Sequence, residues 1–214
     1  MTATSRRGPG KFICVGLLLA GLSLDAHAQL CGGPLENNNF QRPVDYRDRL
    51  KEGANLNLVE RLHFTDKVEA LVAGESAPLP MDIDYTLRQI PNHYRALSAM
   101  ARWDLQHPRR ADAKYYTIDC YFERAFAFHP DDPNPYFIYA VYLHRKKDYD
   151  GALREYKQAE GLGLDSSELY YNLGLLYLDK NDLKQAKAYA DKAYQEGYPL
   201  PGLKSRLERA GVHD

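Results

Sequence analysis

Tyr170-Tyr171-Asn172-Leu173-Gly174-Leu175-Leu176-Tyr177 is the stretch on which the fold turns. A window opened at Ser167 places Tyr170, Leu173, Gly174 and Tyr177 at positions 4, 7, 8 and 11, and Ala186, Ala190 and Ala193 at positions 20, 24 and 27. A second window, opened earlier in the chain at Pro133, places Tyr136, Tyr139, Ala140 and Leu143, then Ala152, Tyr156 and Ala159, at the same positions. Apolar residues three and four apart predict helices, and a pattern that survives the shift from Pro133 to Ser167 predicts a helix pair used more than once. The residue types have a steric reason. Small side chains at Ala140 or Gly174 and at Ala152 or Ala186 let helix A and helix B approach closely, while Tyr136, Leu173 and Tyr177 fill the space beside them. Neither helix of a pair can bury its apolar face alone, so neighbouring pairs must stack.

Local signals fall where that period needs them. Lys146-Lys147-Asp148 and Lys180-Asn181-Asp182 separate A from B. Asp182-Leu183-Lys184-Gln185 fits a capping box, with Asp182 receiving amides and Gln185 reaching back. Asp165-Ser166-Ser167-Glu168 offers the same start to the next helix. Gly161-x-Gly163 lacks a phosphate-loop continuation and reads as a helix stop. Upstream, Cys120 to Ala125 reads as a B helix, with Phe122, Ala125 and Pro130 at positions 24, 27 and 32. Its A helix, Asn92 to Trp103, is displaced: the step from Leu97 to Ile118 is about nine residues longer than an uninterrupted repeat allows. The surplus is expected as a loop around Gln106 to Arg110. Ile118 also stands where a small residue is usual. Leu203 to Ala210 is expected as a short closing helix.

These windows resemble the tetratricopeptide repeat, whose pattern is Trp-x-x-Leu-Gly-x-x-Tyr followed by Ala, Phe, Ala and Pro. The resemblance implies an all-α, right-handed helical solenoid of about three repeats, with an irregular N-terminal segment and a C-terminal capping helix. Its units would be a divergent repeat at 92–132, repeats at 133–166 and 167–200, and the cap at 201–214. Val59-Glu60-x-x-His63-Phe64-Thr65, Asp84 to Arg88, Pro91-Asn92-His93 and Cys120 to Ala125 also resemble a group of exported bacterial tetratricopeptide-repeat proteins that lends no settled activity.

Arg6, Arg7 and Lys11, the apolar run Phe12 to Leu24, and Ala26-His27-Ala28 follow one another as in a cleaved export signal. The expected cut follows Ala28, leaving a mildly acidic chain from Gln29 to Asp214 in the periplasm or secreted. Nothing in that balance points to nucleic acid. No apolar run of roughly 18 residues remains, so no stable membrane span is expected after processing. Leu30 directly before Cys31 argues against a lipidated cysteine. Residues 29–91 form an extension packed on the repeats: Gly-, Pro- and Asn-rich to Asn55, then two short helices across Leu56 to Ala73 with Thr65 as a candidate cap. Gly74 to Pro80 would end these, and a further helix would run from Asp84 to Ile90. Cys14 leaves with the leader. Cys31 and Cys120 then make an even pair in an exported chain, read first as a disulfide, with two free thiols as the alternative. Zinc is disfavoured, because two distant cysteines lack close-spaced partners.

Catalytic signatures are weak. His63 with Glu60, Asp66 and Glu69 is the best acidic-histidine cluster, but three- and four-residue spacing is more often a solvated helix face. Asp82 and Asp84 could imitate paired glycosidase carboxylates, though Asp82 also suits a helix N-cap. Ser166 and Ser167 are turn residues, and His93 and His107 read as packing or loop histidines. No catalytic residue, cofactor or metal is expected. In the repeat family the groove is lined by helix-A positions 2, 5, 9 and 12. Here these are Asn134, Phe137, Val141 and His144, then Glu168, Tyr171, Leu175 and Leu178. Phe137 and Val141 replace the Lys and Asn of a carboxylate clamp. The resemblance therefore implies an apolar, aromatic groove for another envelope protein or an extended peptide segment, unless the N-terminal extension fills it. The alternative is an enzyme acting on envelope polymer from the extension, which a pocket joining His63 to Asp82 or Asp84 would favour.

Overall fold

The computed structural model describes residues 1, 31, 43–51, 56–109 and 111–213. Those residues hold ten α-helices and no strand: α1 (Leu56–His63), α2 (Asp66–Glu69), α3 (Leu79–Gln89), α4 (Tyr94–Gln106), α5 (Ile118–Phe128), α6 (Pro133–Arg145), α7 (Tyr149–Gly161), α8 (Ser167–Asp179), α9 (Leu183–Gln195) and α10 (Gly202–Arg209). Apart from Met1, the expected leader at 1–28 lies outside the described residues, as does most of the Gly- and Asn-rich stretch that follows it.

The two regular repeats keep one register. Moving α6 and α7 along the chain by the step from Pro133 to Ser167 gives the bounds of α8 and α9. Their caps shift with them: Asp132 and Ser166 start the A helices, and Asp148 and Asp182 the B helices, each accepting from an amide of the first turn. Even the backbone turns recur, with Lys147 and Asn181 at φ +64° and +60° and Gly163 and Gly197 at +89° and +79°. Such a left-handed residue closes a helix by turning the chain back toward its last carbonyls. Gln185 donates its amide to Asp182 at 3.1 Å, which is the first half of the expected capping box.

Ala140, Ala152, Ala159, Ala186 and Ala193 are fully buried, and Tyr156, Leu169, Leu173 and Leu176 fill the volume between the pairs. The A helices stand in a row, α4 against α6, α6 against α8, and α8 against α10. Gly174 serves a closer approach than the sequence pattern implies. A Cβ there would meet Leu203 Cδ2 of α10 at 2.5 Å, before Ala186 O and Ala190 N of the paired helix at 3.4 Å. α10 itself is a truncated A helix: Leu203 and Leu207, both buried, stand one repeat length after Leu169 and Leu173.

The extension departs from expectation at α3, which starts at Leu79 rather than Asp84. Pro80 lies in the first turn, where its missing N–H costs nothing, so this proline opens the helix instead of ending the previous one. Asp82 is consequently inside the helix and not its N-cap. Thr65 is the residue before α2, but its hydroxyl goes to Glu75 at 3.0 Å rather than to a helix amide. The loop expected between α4 and α5 is present, and Thr117 caps its exit by accepting from Cys120 N.

Candidate partner-binding groove

α6 and α8 carry the eight expected groove residues at one and the same register. Asn134, Phe137, Val141 and His144 on α6, and Tyr171, Leu175 and Leu178 on α8, are all half-buried, while Glu168 is exposed. Register alone does not reveal that the apolar members also bind the array together. Phe137 lies 5.9 Å from the Tyr156 ring, and with Val141 it packs on the core between repeats two and three. Tyr171 stacks on Tyr198 at 4.0 Å, and Leu175 and Leu178 pack on the cluster formed by Leu203 and Leu207. A clean division between structural and binding side chains therefore fails for α8, whose face is shared with the cap. The described part of the extension packs instead on the cluster of α2 to α6 and on a smaller one of Tyr46, Leu56, Ile90 and Tyr94, neither of which includes Leu175 or Phe137.

Polar groups mark the edges of this face. His144 Nε2 and Asp179 Oδ2 are 2.8 Å apart, and Arg206 of α10 donates to the same carboxylate at 2.5 Å, so one seam ties α6, α8 and α10. Burial pushes the Asp179 carboxyl up, but the hydrogen bonds from Arg206 and His144 outweigh it and hold the group below the usual range. Asn134 stays local and donates to its own cap, Asp132, at 3.2 Å. The Glu168 backbone carbonyl accepts from the Asn172 side chain one turn later.

Beyond α8 the array leaves an opening that no sequence motif announces. A cavity of about 380 Å³ lies between α9 and α10, lined by Ala190, Tyr194, Leu207 and Val212 among others, with Lys187, Asp191, Lys204 and Glu208 supplying charge of both signs. Among the described residues no B helix follows α10, so this end of the array has no further helix to pack on. The register match of Leu203 and Leu207 to Leu169 and Leu173 is the signal that could have found it.

The acidic-histidine cluster of the extension is dispersed by the fold. Glu60 accepts from His93 Nε2 at 3.0 Å, Glu69 and Asp66 face Arg95, and His63 turns to Asp82. The hydrogen bond from His93 holds the Glu60 carboxyl below its ordinary range, while burial pushes the His93 imidazole down. His93 Nδ1 accepts from Ala96 N, so this histidine is the N-cap of α4 and must stay neutral on that nitrogen. Asp82 is fully buried. Its Oδ2 accepts the backbone amides of Glu75, Ser76 and Ala77, and its Oδ1 takes His63 Nδ1 at 2.8 Å. Asp84 does not share a site with it: that carboxylate accepts from Tyr121 OH at 2.5 Å and Arg88 Nε at 2.8 Å. His107 stacks on Trp103 at 3.7 Å as a loop residue. Cys31 and Cys120 are joined by a disulfide that ties Cys31 to α5.

Among the described residues no helix is long and apolar enough to cross a membrane. The family model for the tetratricopeptide repeat matches residues 167–195, which span α8 and α9. No curated protein matches the chain. A solved structure described as "MamA RS-1 ArsTM double mutant" is similar at 16% identity, covering 78% of this chain and 82% of that one with a TM-score of 0.46.

Proposed function

From a chain whose α8 and α9 match the tetratricopeptide-repeat model and whose α6 and α7 share their register, we infer a protein-binding adaptor, exported to the periplasm or beyond, that holds a partner segment along the A-helix face of α6 and α8. The observation that carries this reading is the half-exposure of Phe137, Val141, Tyr171 and Leu175 in one row. Large apolar side chains that remain partly in water after the array has formed are the anchors most protein interfaces use. Sparse charge on that row suits an apolar or extended segment better than an acidic tail. Export is supported by the leader-like sequence and by the Cys31–Cys120 disulfide, since such bonds persist in oxidising compartments.

Tyr171→Ala is a poor test of this face, because losing the stack on Tyr198 would loosen the cap as well. A photo-crosslinking side chain at Val141, compared with one at exposed Gln158 on α7, separates groove from general surface. In native envelope, the Val141 probe should yield one dominant protein adduct; Phe137→Ala should weaken it by roughly 1 to 3 kcal/mol of binding, a loss counted only if the variant keeps its helical signal and melting temperature, because Phe137 also packs on Tyr156. Equal adducts from both positions would refute the groove.

A second reading has one observation in its favour. The structure joins His63 to buried Asp82, and an imidazole oriented by a carboxylate is the pairing a general base uses. Against it, Asp82 spends its other oxygen on three loop amides, which is how a carboxylate serves a turn. Turnover of an envelope polymer that disappears in His63→Ala but survives Phe137→Ala would move the protein into the enzyme class.

A further inference from the structure

The Cys31–Cys120 bond has a third group beside it. Glu123 is one helical turn after Cys120 on α5, and its Oε2 lies 3.2 Å from Cys31 Sγ. The sulfur and carboxylate donor atoms of Cys31, Cys120 and Glu123 all fall within 4.8 Å of one another. We propose that reduction turns this staple into a binding site for a thiophilic divalent cation of the zinc type, held by the two thiolates and Glu123. The inference stands apart from the groove and from the adaptor reading.

Geometry asks little of the fold. A tetrahedral cation with metal–sulfur bonds of about 2.3 Å and a metal–oxygen bond of about 2.1 Å needs its sulfurs roughly 3.7 Å apart and each sulfur roughly 3.6 Å from the oxygen. Glu123 Oε2 is already near that distance from Cys31 Sγ and lies within 4.8 Å of Cys120 Sγ, so small side-chain shifts would complete the site. The two Cα atoms are 5.4 Å apart, close enough for both side chains to reach one ion without moving either backbone. Cys120 and Glu123 are half-buried and give the ion a way in, while Cys31 is closed off from water at 4% exposure. A fourth position facing solvent is left for water, as three-ligand sites have it.

Charge also fits. Two thiolates and a carboxylate around a dication leave one net negative charge, which would be costly to bury alone. Arg124, the next residue on α5, is 2% exposed and its Nη1 lies 3.4 Å from the Cys31 carbonyl oxygen. A guanidinium held at the Cys31 backbone places positive charge beside the site and offsets the surplus. The chemistry balances in two steps. A dithiol reductant gives two electrons and two protons to the disulfide, becoming a cyclic disulfide itself and leaving two protein thiols. The cation then displaces both thiol protons to solvent as the two sulfur–metal bonds form. The result would be a tether that survives a change of redox state: a covalent bond when oxidised, a metal clip when reduced.

Cadmium is the probe, because its thiolate complexes absorb in the near ultraviolet. The intact chain carrying Cys14→Ser, so that the leader thiol does not count, is reduced with a phosphine in the absence of air and titrated with Cd²⁺. The expected result is one ion per reduced chain with a sulfur-to-cadmium band, none for the oxidised chain, and no band in Cys120→Ser. Glu123→Gln should leave the oxidised protein folded, as its melting transition will show, and weaken cadmium binding by about tenfold or more. Failure of the reduced chain to bind, including by release of the Cys31 segment from α5, would overturn the proposal. So would equal affinity in Glu123→Gln, which would mean two loose thiols rather than a built site.

Discussion

From Pro133 to Gln195 the side chains excluded from solvent are apolar or tyrosine, whereas from Asp82 to His93 they include Asp82, Asp84, Thr86, Gln89, Asn92 and His93. Both regions are helical and both pack on α4, so the contrast is one of method. A repeat obtains its specificity from its period: each unit needs only the right small and large residues to fit a neighbour like itself. The extension has no copy to pack on. Its single arrangement is fixed by polar groups that are satisfied in one geometry and strongly penalised in others. Asn92 shows this well, accepting from Tyr46 N while its amide donates to Asp45 and Asp132. That knot pins residues 43–51 to the head of the repeats. Although burial raises it, the Asp45 carboxyl is held down to about 2 by Arg47, Asn92 and His129.

The largest test of the contrast is Asp82→Ala. It strips the acceptor from the amides of Glu75, Ser76 and Ala77 and the partner from His63, and it should destabilise by about 3 kcal/mol in denaturant unfolding. A cost below about 1 kcal/mol would show that the polar scaffold of the extension is dispensable. The corresponding injury to the repeats is Gly174→Ala, which drives a Cβ into Leu203. Because a flexible side-chain end can yield, about 1 to 2 kcal/mol is expected. Hydrogen exchange should quicken in α10 and leave α3 unchanged; the reverse pattern would erase the distinction between the regions.

Acid should separate them more gently. His93 has its pKa lowered by burial, so between that value and the ordinary histidine range the unfolded chain binds a proton that the folded chain refuses. Stability from this group is complete above about pH 6.5 and falls as the pH drops through the folded value. Protonation of Nδ1 would also remove the acceptor for Ala96 N at the start of α4. Melting followed by exchange in α1 and α4 should weaken from pH 7 to pH 5, and His93→Asn, which keeps a capping oxygen, should flatten that slope. An unchanged slope in His93→Asn would place the acid sensitivity elsewhere. The smallest effect sharpens the symmetry between repeats. Lys147 occupies the left-handed turn that Asn181 fills in the next unit, so Lys147→Gly should stabilise by roughly 0.5 kcal/mol, read as a rise in melting temperature.

The repeats are legible in the sequence because their physics is local and periodic. Tyr170, Gly174 and Ala186 carry the repeat shift in plain view, and the caps Asp148, Asp182 and Ser166 mark where each helix must begin. Sequence alone misplaces the start of α3, because Pro80 reads as a breaker although a proline in a first turn is equally a starter. Only the packing of Asp82 beneath the 75–77 loop decides between them. The groove is half legible. Register places Phe137, Val141, Tyr171 and Leu175 on one face, but it carries no information on what lies across that face. Tyr198 and Leu203 come from the chain after the last full repeat, where the period gives out. The pairing of Cys31 with Cys120 can be argued from their number alone. Glu123 beside them cannot, since nothing in sequence spacing brings residue 31 to that turn of α5.

The disulfide also sets the path of mechanical load through the molecule. Tension applied to the chain ahead of Cys31 passes through the sulfurs into α5 and onward to the repeats, skipping every residue between the two cysteines. With a sequence separation of 89, the bypassed segment would stretch to roughly 300 Å if it were pulled out. While the bond holds, α1 to α4 bear none of that force and the extension is a slack loop in the mechanical sense, however tightly it is packed. Cutting the bond would release this hidden length at once, and among the described residues the polar knot at Asn92 would be the first element in line to resist.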